Sequence, residues 1–169
     1  MQSGQKSAVR LVLDTNVVAS GLLWDGPTAR LLELAARGPL HVELVCSAEL
    51  LAELSDVVGR RKFSKRLALK SCRPSDVVIE YASRTTLVTP EAIRPTVIED
   101  PDDDLVLATA LAGQAHLIVT GDAHLLKLGR YRYVPIVCTA VAIAMLGAAP
   151  LRRARRASPP KGGTPRPLL

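Results

Sequence analysis

Four acidic residues draw attention by where they fall. Asp14 closes the apolar run 9–13 and is followed by Thr15-Asn16. Asp122 follows the apolar run 117–119 through Thr120-Gly121. Glu53 lies inside a stretch of helical period, and Asp104 opens another. If a fold gathers four carboxylates, they repel: two like charges about 4 Å apart cost ~4 kcal/mol at an effective dielectric near 20. A proton or a bound cation relieves that. An all-oxygen ligand set suits Mg²⁺ or Mn²⁺. Such an ion lowers the pKa of water and clamps a phosphodiester through its oxygens. No histidine is among the four, which argues against zinc.

The acids need elements to position them. Residues 9–13 read as a buried strand, apolar enough to be parallel. Residues 17–23 suggest a short helix that stops near Asp25-Gly26-Pro27. Residues 27–37 have a helical period and close at Gly38-Pro39. Residues 42–46 read as a second strand, and Ser47 as the N-cap of a helix to about residue 58. Pro74-Ser75-Asp76 starts another helix, to about residue 84. Residues 87–88 and 96–98 read as short extended pieces. Residues 105–115 form a helix apolar almost all round, hence buried. Residues 117–120 and 136–138 are further strands, and residues 140–146 a last helix. Strands alternating with helices predict a mainly parallel sheet between helices, an α/β fold.

In such sheets functional sites form beyond the carboxyl ends of the strands. Asp14 and Asp122 should share that edge, and Asp104 joins them if the crossover is regular. Glu53 is the acid of its helix best placed to lean inward. On a helical wheel it lies about 40° from Val57, at the border of the apolar sector of Leu50, Leu54 and Val57, whereas Glu49 and Asp56 lie further out.

The stretches LVLDTNVVAS, SAELLAEL, DPDDDLVLATAL and LIVTGDAHLL, in that order, resemble the PIN-domain family of metal-dependent nucleases over roughly residues 9–147. The spacing is most similar to the VapC-like toxins of toxin–antitoxin pairs. The resemblance implies a three-layer α/β/α PIN-like fold over residues 8–149. It implies that Asp14, Glu53, Asp104 and Asp122 are catalytic and hold Mg²⁺ or Mn²⁺, with Asn16 and Thr120 supporting them. It also implies RNA as substrate, a cognate antitoxin as partner, and a homodimer, for which no residue here is diagnostic. Two features depart from the family pattern. Asp102 and Asp103 leave the third acid ambiguous by a residue or two, and the chain carries a basic tail.

That tail governs the net charge of +6. Residues 151–169 hold six cations and no acid, so the preceding residues balance at 16 of each sign. Rich in Arg and Pro, residues 150–169 read as a disordered extension. The charge of interest lies elsewhere. Arg60, Arg61, Lys62, Lys65, Arg66, Lys70 and Arg73 form a block without an acid, directly after the Glu53 helix. A solvated face and a phosphate-contacting ridge that steers RNA are both open, the second centred on Arg60, Arg61, Lys62, Lys65 and Arg66.

Three widely spaced cysteines suggest reduced thiols in a cytoplasmic protein rather than disulfides or a zinc site. No apolar run reaches membrane-spanning length, and residues 1–10 lack the apolar stretch of a signal peptide. The alternatives are a binding or scaffold module without turnover and a nuclease acting on DNA. A haloacid-dehalogenase-type phosphatase wants an Asp at position 16, where Asn stands. A receiver domain wants an acid pair near the first strand, and residues 10–13 offer none.

Overall fold

A computed structural model describes residues 8–98 and 100–147. In chain order the elements are β1 (Val9–Leu13), α1 (Thr15–Leu23), α2 (Pro27–Arg37), β2 (Val42–Ser47), α3 (Ala48–Gly59), α4 (Arg61–Leu69), α5 (Pro74–Ala82), β3 (Thr85–Val88), α6 (Asp103–Ala112), β4 (Leu117–Val119), α7 (Ala123–Leu128), β5 (Arg130–Tyr131), β6 (Val134–Val137) and α8 (Thr139–Gly147). The strands form one sheet in the order β3-β2-β1-β4-β6-β5, parallel throughout except for β5 against β6. Helices flank it, giving the expected α/β architecture with a mainly parallel sheet.

Strand character follows from burial. β1 and β4 lie side by side in the middle of the sheet, and Leu11, Val12, Leu13, Leu117, Ile118 and Val119 are all buried. Being covered on both faces, they read as continuous apolar runs rather than alternating ones. The order has a consequence for function. From β1 the chain winds out through β2 to β3, then returns to place β4 on the other side of β1. The β1/β4 boundary is therefore the topological switch point, where adjacent connections diverge and leave a crevice at the strand ends.

Local chemistry sets the helix starts. Ser47 Oγ accepts from Leu50 N at 3.2 Å and starts α3 as its sequence suggests. Pro27 and Pro74 occupy the first position of α2 and α5, where a missing N–H costs nothing. The core is aliphatic, with Leu, Val and Ile from every layer and few aromatics.

Several expectations are corrected. The basic block contains a helix, α4, that buries only Phe63 and Leu67. Two apolar residues one turn apart are enough to dock it on α3, but too few for a clear periodic signal. Residues 96–98 form no strand. The short α7 and β5 arise from local turns around Gly129, which is in the left-handed region at φ 67° and ends α7. The proposed tail, residues 150–169, lies outside the described residues. Among the described residues, no helix is long and apolar enough to cross a membrane.

α6 carries the third acid and packs across β1, β2 and β4. Its C-cap, Gly113, sits so close to β2 that a Cβ there would stand 2.4 Å from Val45 Cγ1. Val45 is buried and branched at Cβ, so it cannot swing away. Gly113→Ala is therefore expected to lower unfolding free energy by ~1–3 kcal/mol, measured by denaturant titration. An unchanged midpoint would mean that α6 is not seated this closely.

Candidate active site

Asp14 stands at the carboxyl end of β1 and is buried. Its backbone N–H donates to Val119 O of β4 at 2.9 Å, locking it to the neighbouring strand. One carboxylate oxygen accepts from Asn16 N at 2.9 Å, capping α1. The other accepts from Thr120 Oγ1 at 2.6 Å. The Thr120 hydroxyl in turn accepts from Asp122 N at 2.9 Å. Thr120, fully buried, thus ties the two strand-end aspartates together across the switch point. Asn16 contributes its backbone, and its side chain is exposed.

Glu53 reaches the same place from α3. Its Oε1 accepts from Thr15 Oγ1 at 2.7 Å. Burial raises its pKa and the Asp14 charge adds to the rise; the Thr15 hydrogen bond and the Arg60 charge oppose it. Thr15 is buried, so its hydroxyl has few other partners. Nothing in the sequence marks Thr15 as a partner of Glu53 except its place directly after Asp14, where a buried hydroxyl on the first turn of α1 faces α3.

The structure separates the candidates for the third acid. Asp104, expected in the cluster, points away from it. Its carboxylate accepts from Thr96 N at 3.0 and 3.2 Å and from Val97 N at 2.9 Å, clasping the segment that leads into α6. It lines a surface pocket with Glu49, Ile93 and Leu105. The neighbouring Asp103 faces the other acids. Burial pushes its pKa up to about 7, with the charges of Asp122, Asp100 and Asp14 adding to the rise. This happens although the N-terminus of a helix favours an anion. Asp103 and Asp122 approach closely enough to share a proton. With both ionised, the buried Asp103 Oδ2 has no hydrogen-bond partner.

Asp122 caps α7: its Oδ1 accepts from His124 N at 2.7 Å and Leu125 N at 3.2 Å. The His124 side chain is exposed. The structure thus assembles Asp14, Glu53, Asp103 and Asp122 at one sheet edge. Among the described residues no three Asp, Glu, His or Cys side chains have converged to ready-made metal spacing. Asp14, Glu53 and Asp122 are instead turned to protein donors. The donors are hard oxygens, and Asp103 presents a buried oxygen without a partner. That set fits a divalent cation, which would meet the demand a proton otherwise meets.

The chain matches a known family. The model of the PIN domain matches residues 10–124, well over half of the chain. The chain belongs to the PIN-domain family. A solved structure, VapBC2 from Rickettsia felis bound to a DNA fragment from their promoter, contains a chain similar to this PIN domain. The TM-score is 0.54 at 19% identity, covering 77% of this chain and 98% of that one. The two share a fold. No curated protein matches this PIN domain.

Around the PIN-domain acids the cations divide. Arg60 lies near enough to Glu53 to act on its charge. Arg61, Lys62 and Lys65 are exposed. Arg66, expected to contact phosphate, is committed elsewhere. Its guanidinium donates to the Leu23 carbonyl and pairs with Asp25 at 3.6 Å, fastening α4 to the end of α1.

The raised Asp103 pKa has a sign that can be measured. The folded form binds this proton more tightly than the unfolded chain does. The neutral acid's contribution is complete below about pH 4 and is lost as pH rises through about 7. Metal-free protein should therefore melt lower at pH 8 than at pH 5. Asp103→Asn should raise the melting temperature at pH 8 by a few degrees and flatten the slope, read by calorimetry. A variant that is less stable than the native chain at pH 8 would contradict this account of the half-buried charge.

Proposed function

We propose that this PIN domain is an endoribonuclease dependent on Mg²⁺ or Mn²⁺, the toxin of a toxin–antitoxin pair, acting in the cytoplasm. One observation carries the reading: four carboxylates from four elements face the switch point of the sheet without standing at metal-ligating spacing, and one of them has a buried oxygen with no partner. The antitoxin partner is supported by the likeness to a chain of the VapBC2 complex. RNA as substrate is supported by the family resemblance and by the cations beside Glu53.

Asp14, Glu53, Asp103 and Asp122 are the residues that would hold the ion. When bound, it supplies a Lewis acid that makes water a better nucleophile and neutralises charge on the phosphodiester. The chain's own residues provide the rest. Thr120 orients Asp14 through its hydroxyl and Asp122 through the backbone. Thr15 orients Glu53. Asp103, neutral at low pH, can hold a proton within the cluster and is ionised above about pH 7. Arg60, Arg61, Lys62 and Lys65 attract the phosphate backbone, so binding should weaken as salt rises.

The test is cleavage of single-stranded RNA and DNA with Mg²⁺, with Mn²⁺ or with chelator. RNA should be cut only with metal. Asp14→Asn and Asp103→Asn should each lose at least ~100-fold in rate. Asp104→Asn should stay within about tenfold of the native rate, while losing ~1 kcal/mol of stability with the loop clasp. An Asp104 variant as inactive as the Asp103 one, yet folded, would reverse their roles. Absence of metal-dependent RNA cleavage by the native chain would sink the function, and cleavage of DNA alone would replace its substrate.

Thr15 has a separate test. Thr15→Val keeps the shape and removes the donor to Glu53. Metal affinity by calorimetry should fall about 10- to 100-fold, with Thr15→Ser restoring most of it. Equal affinity in all three proteins would show that the 2.7 Å contact is incidental.

A further inference from the structure

Trp24 is the only tryptophan of the chain. It follows α1 directly, between the buried Leu23 and the exposed Asp25, and 38% of it is open to solvent. It is nonetheless held firmly. Its backbone N–H donates to Ser20 O at 2.9 Å. The ring of Phe63, itself buried, tilts against the indole with centroids 5.4 Å apart and planes at 58°. Lys62 Nζ lies 4.9 Å from the Phe63 ring centre. Arg66 fastens the adjoining Leu23 carbonyl and the Asp25 carboxylate. Packing explains the covered side of the indole and leaves the open side unexplained.

The surroundings are cationic. Arg60, Arg61, Lys62 and Lys65 are exposed, and no acid occurs between residues 60 and 73. The nearby Asp25 is paired with Arg66. A fixed, half-open aromatic ring bordered by cations matches single-stranded nucleic acid: cations follow the phosphates and the ring stacks a base. It also lies on a path to the acids. Arg60 acts on the Glu53 charge, and Phe63 N donates to Arg60 O at 2.9 Å. Asp14 and Trp24 stand at the two ends of α1, about 15 Å apart along its axis.

We propose that Trp24, backed by Phe63, is a stacking platform for one base of a single-stranded RNA whose phosphates run over Arg60, Arg61, Lys62 and Lys65. This rests on the ribonuclease reading and adds to it a substrate form, unpaired RNA, and a contact away from the bond that is cut. A duplex keeps its base faces stacked on one another and offers none to the indole.

Because Trp24 is the sole tryptophan, the fluorescence of the full native chain reports on it directly. The chain in chelator, so that nothing is cut, is titrated with an adenine-rich RNA of about 12 nucleotides, single-stranded or annealed to its complement. Binding is followed in parallel by anisotropy of a label on the RNA. Single-stranded RNA should quench the tryptophan emission along the same curve as the anisotropy, and the duplex should quench it little. Trp24→Ala should weaken binding ~5- to 100-fold, and Trp24→Phe should recover most of that. The native titration and the Phe variant keep the test valid even if Trp24→Ala folds poorly. Binding by anisotropy without quenching, with both variants binding like the native chain, overturns the platform and leaves the ribonuclease reading standing. Absence of RNA binding overturns the platform too, and the cleavage assay then decides the ribonuclease reading by itself.

Discussion

Like charges brought together at the end of a sheet must be held there against their own repulsion, and in this chain the hydroxyl of Thr120 does much of the holding. It donates to Asp14, accepts from the backbone of Asp122, and is itself fully buried. A buried hydroxyl that both donates and accepts has no reason to rotate. Its backbone donates to Val137 of β6, so the clasp is anchored in the sheet as well. Thr15, on the first turn of α1, donates its hydroxyl to Glu53. Burial does most to push the Asp103 carboxyl up to about 7, and the charges of Asp122, Asp100 and Asp14 add to it. Glu53, half-buried beside Asp14, is shifted upward as well, so the cost of the cluster is shared between Glu53 and Asp103.

The sheet could be anticipated because its strands are buried on both faces. The runs at 9–13 and 117–119 carry their assignment in composition alone, and proline and serine mark where α2, α3 and α5 begin. Glu53 could be located by helical phase, since Leu50, Leu54 and Val57 define the buried side of α3. These features are set by local chemistry that a sequence displays directly.

Other features depended on tertiary detail. Asp102, Asp103 and Asp104 are chemically identical, and about 100° of helical rotation separates neighbours. Which one faces the cluster depends on where α6 begins and which loop backbone waits beside it, and neither is written in three successive aspartates. α4 was masked by its charge, because two buried residues suffice once α3 supplies a surface. Arg66 could not be told from its basic neighbours until the Leu23 carbonyl appeared opposite it. α7 and β5 are too short to show a period and exist because Gly129 adopts a left-handed turn.

The clasp formed by Asp104 has a meaning for how this region can vary. The connection from β3 to α6 runs over fourteen residues, 89–102, and much of it has no regular structure. By gripping Thr96 and Val97, Asp104 fixes the chain shortly before the helix and divides the long connection into two shorter arcs. The cost of closing a loop grows only slowly with its length, so the arc before Thr96 can lengthen or shorten without disturbing the first turn of α6. Sequence before Thr96 can therefore drift, and Asp103, held inside the short arc between Val97 and Asp104, is insulated from that drift.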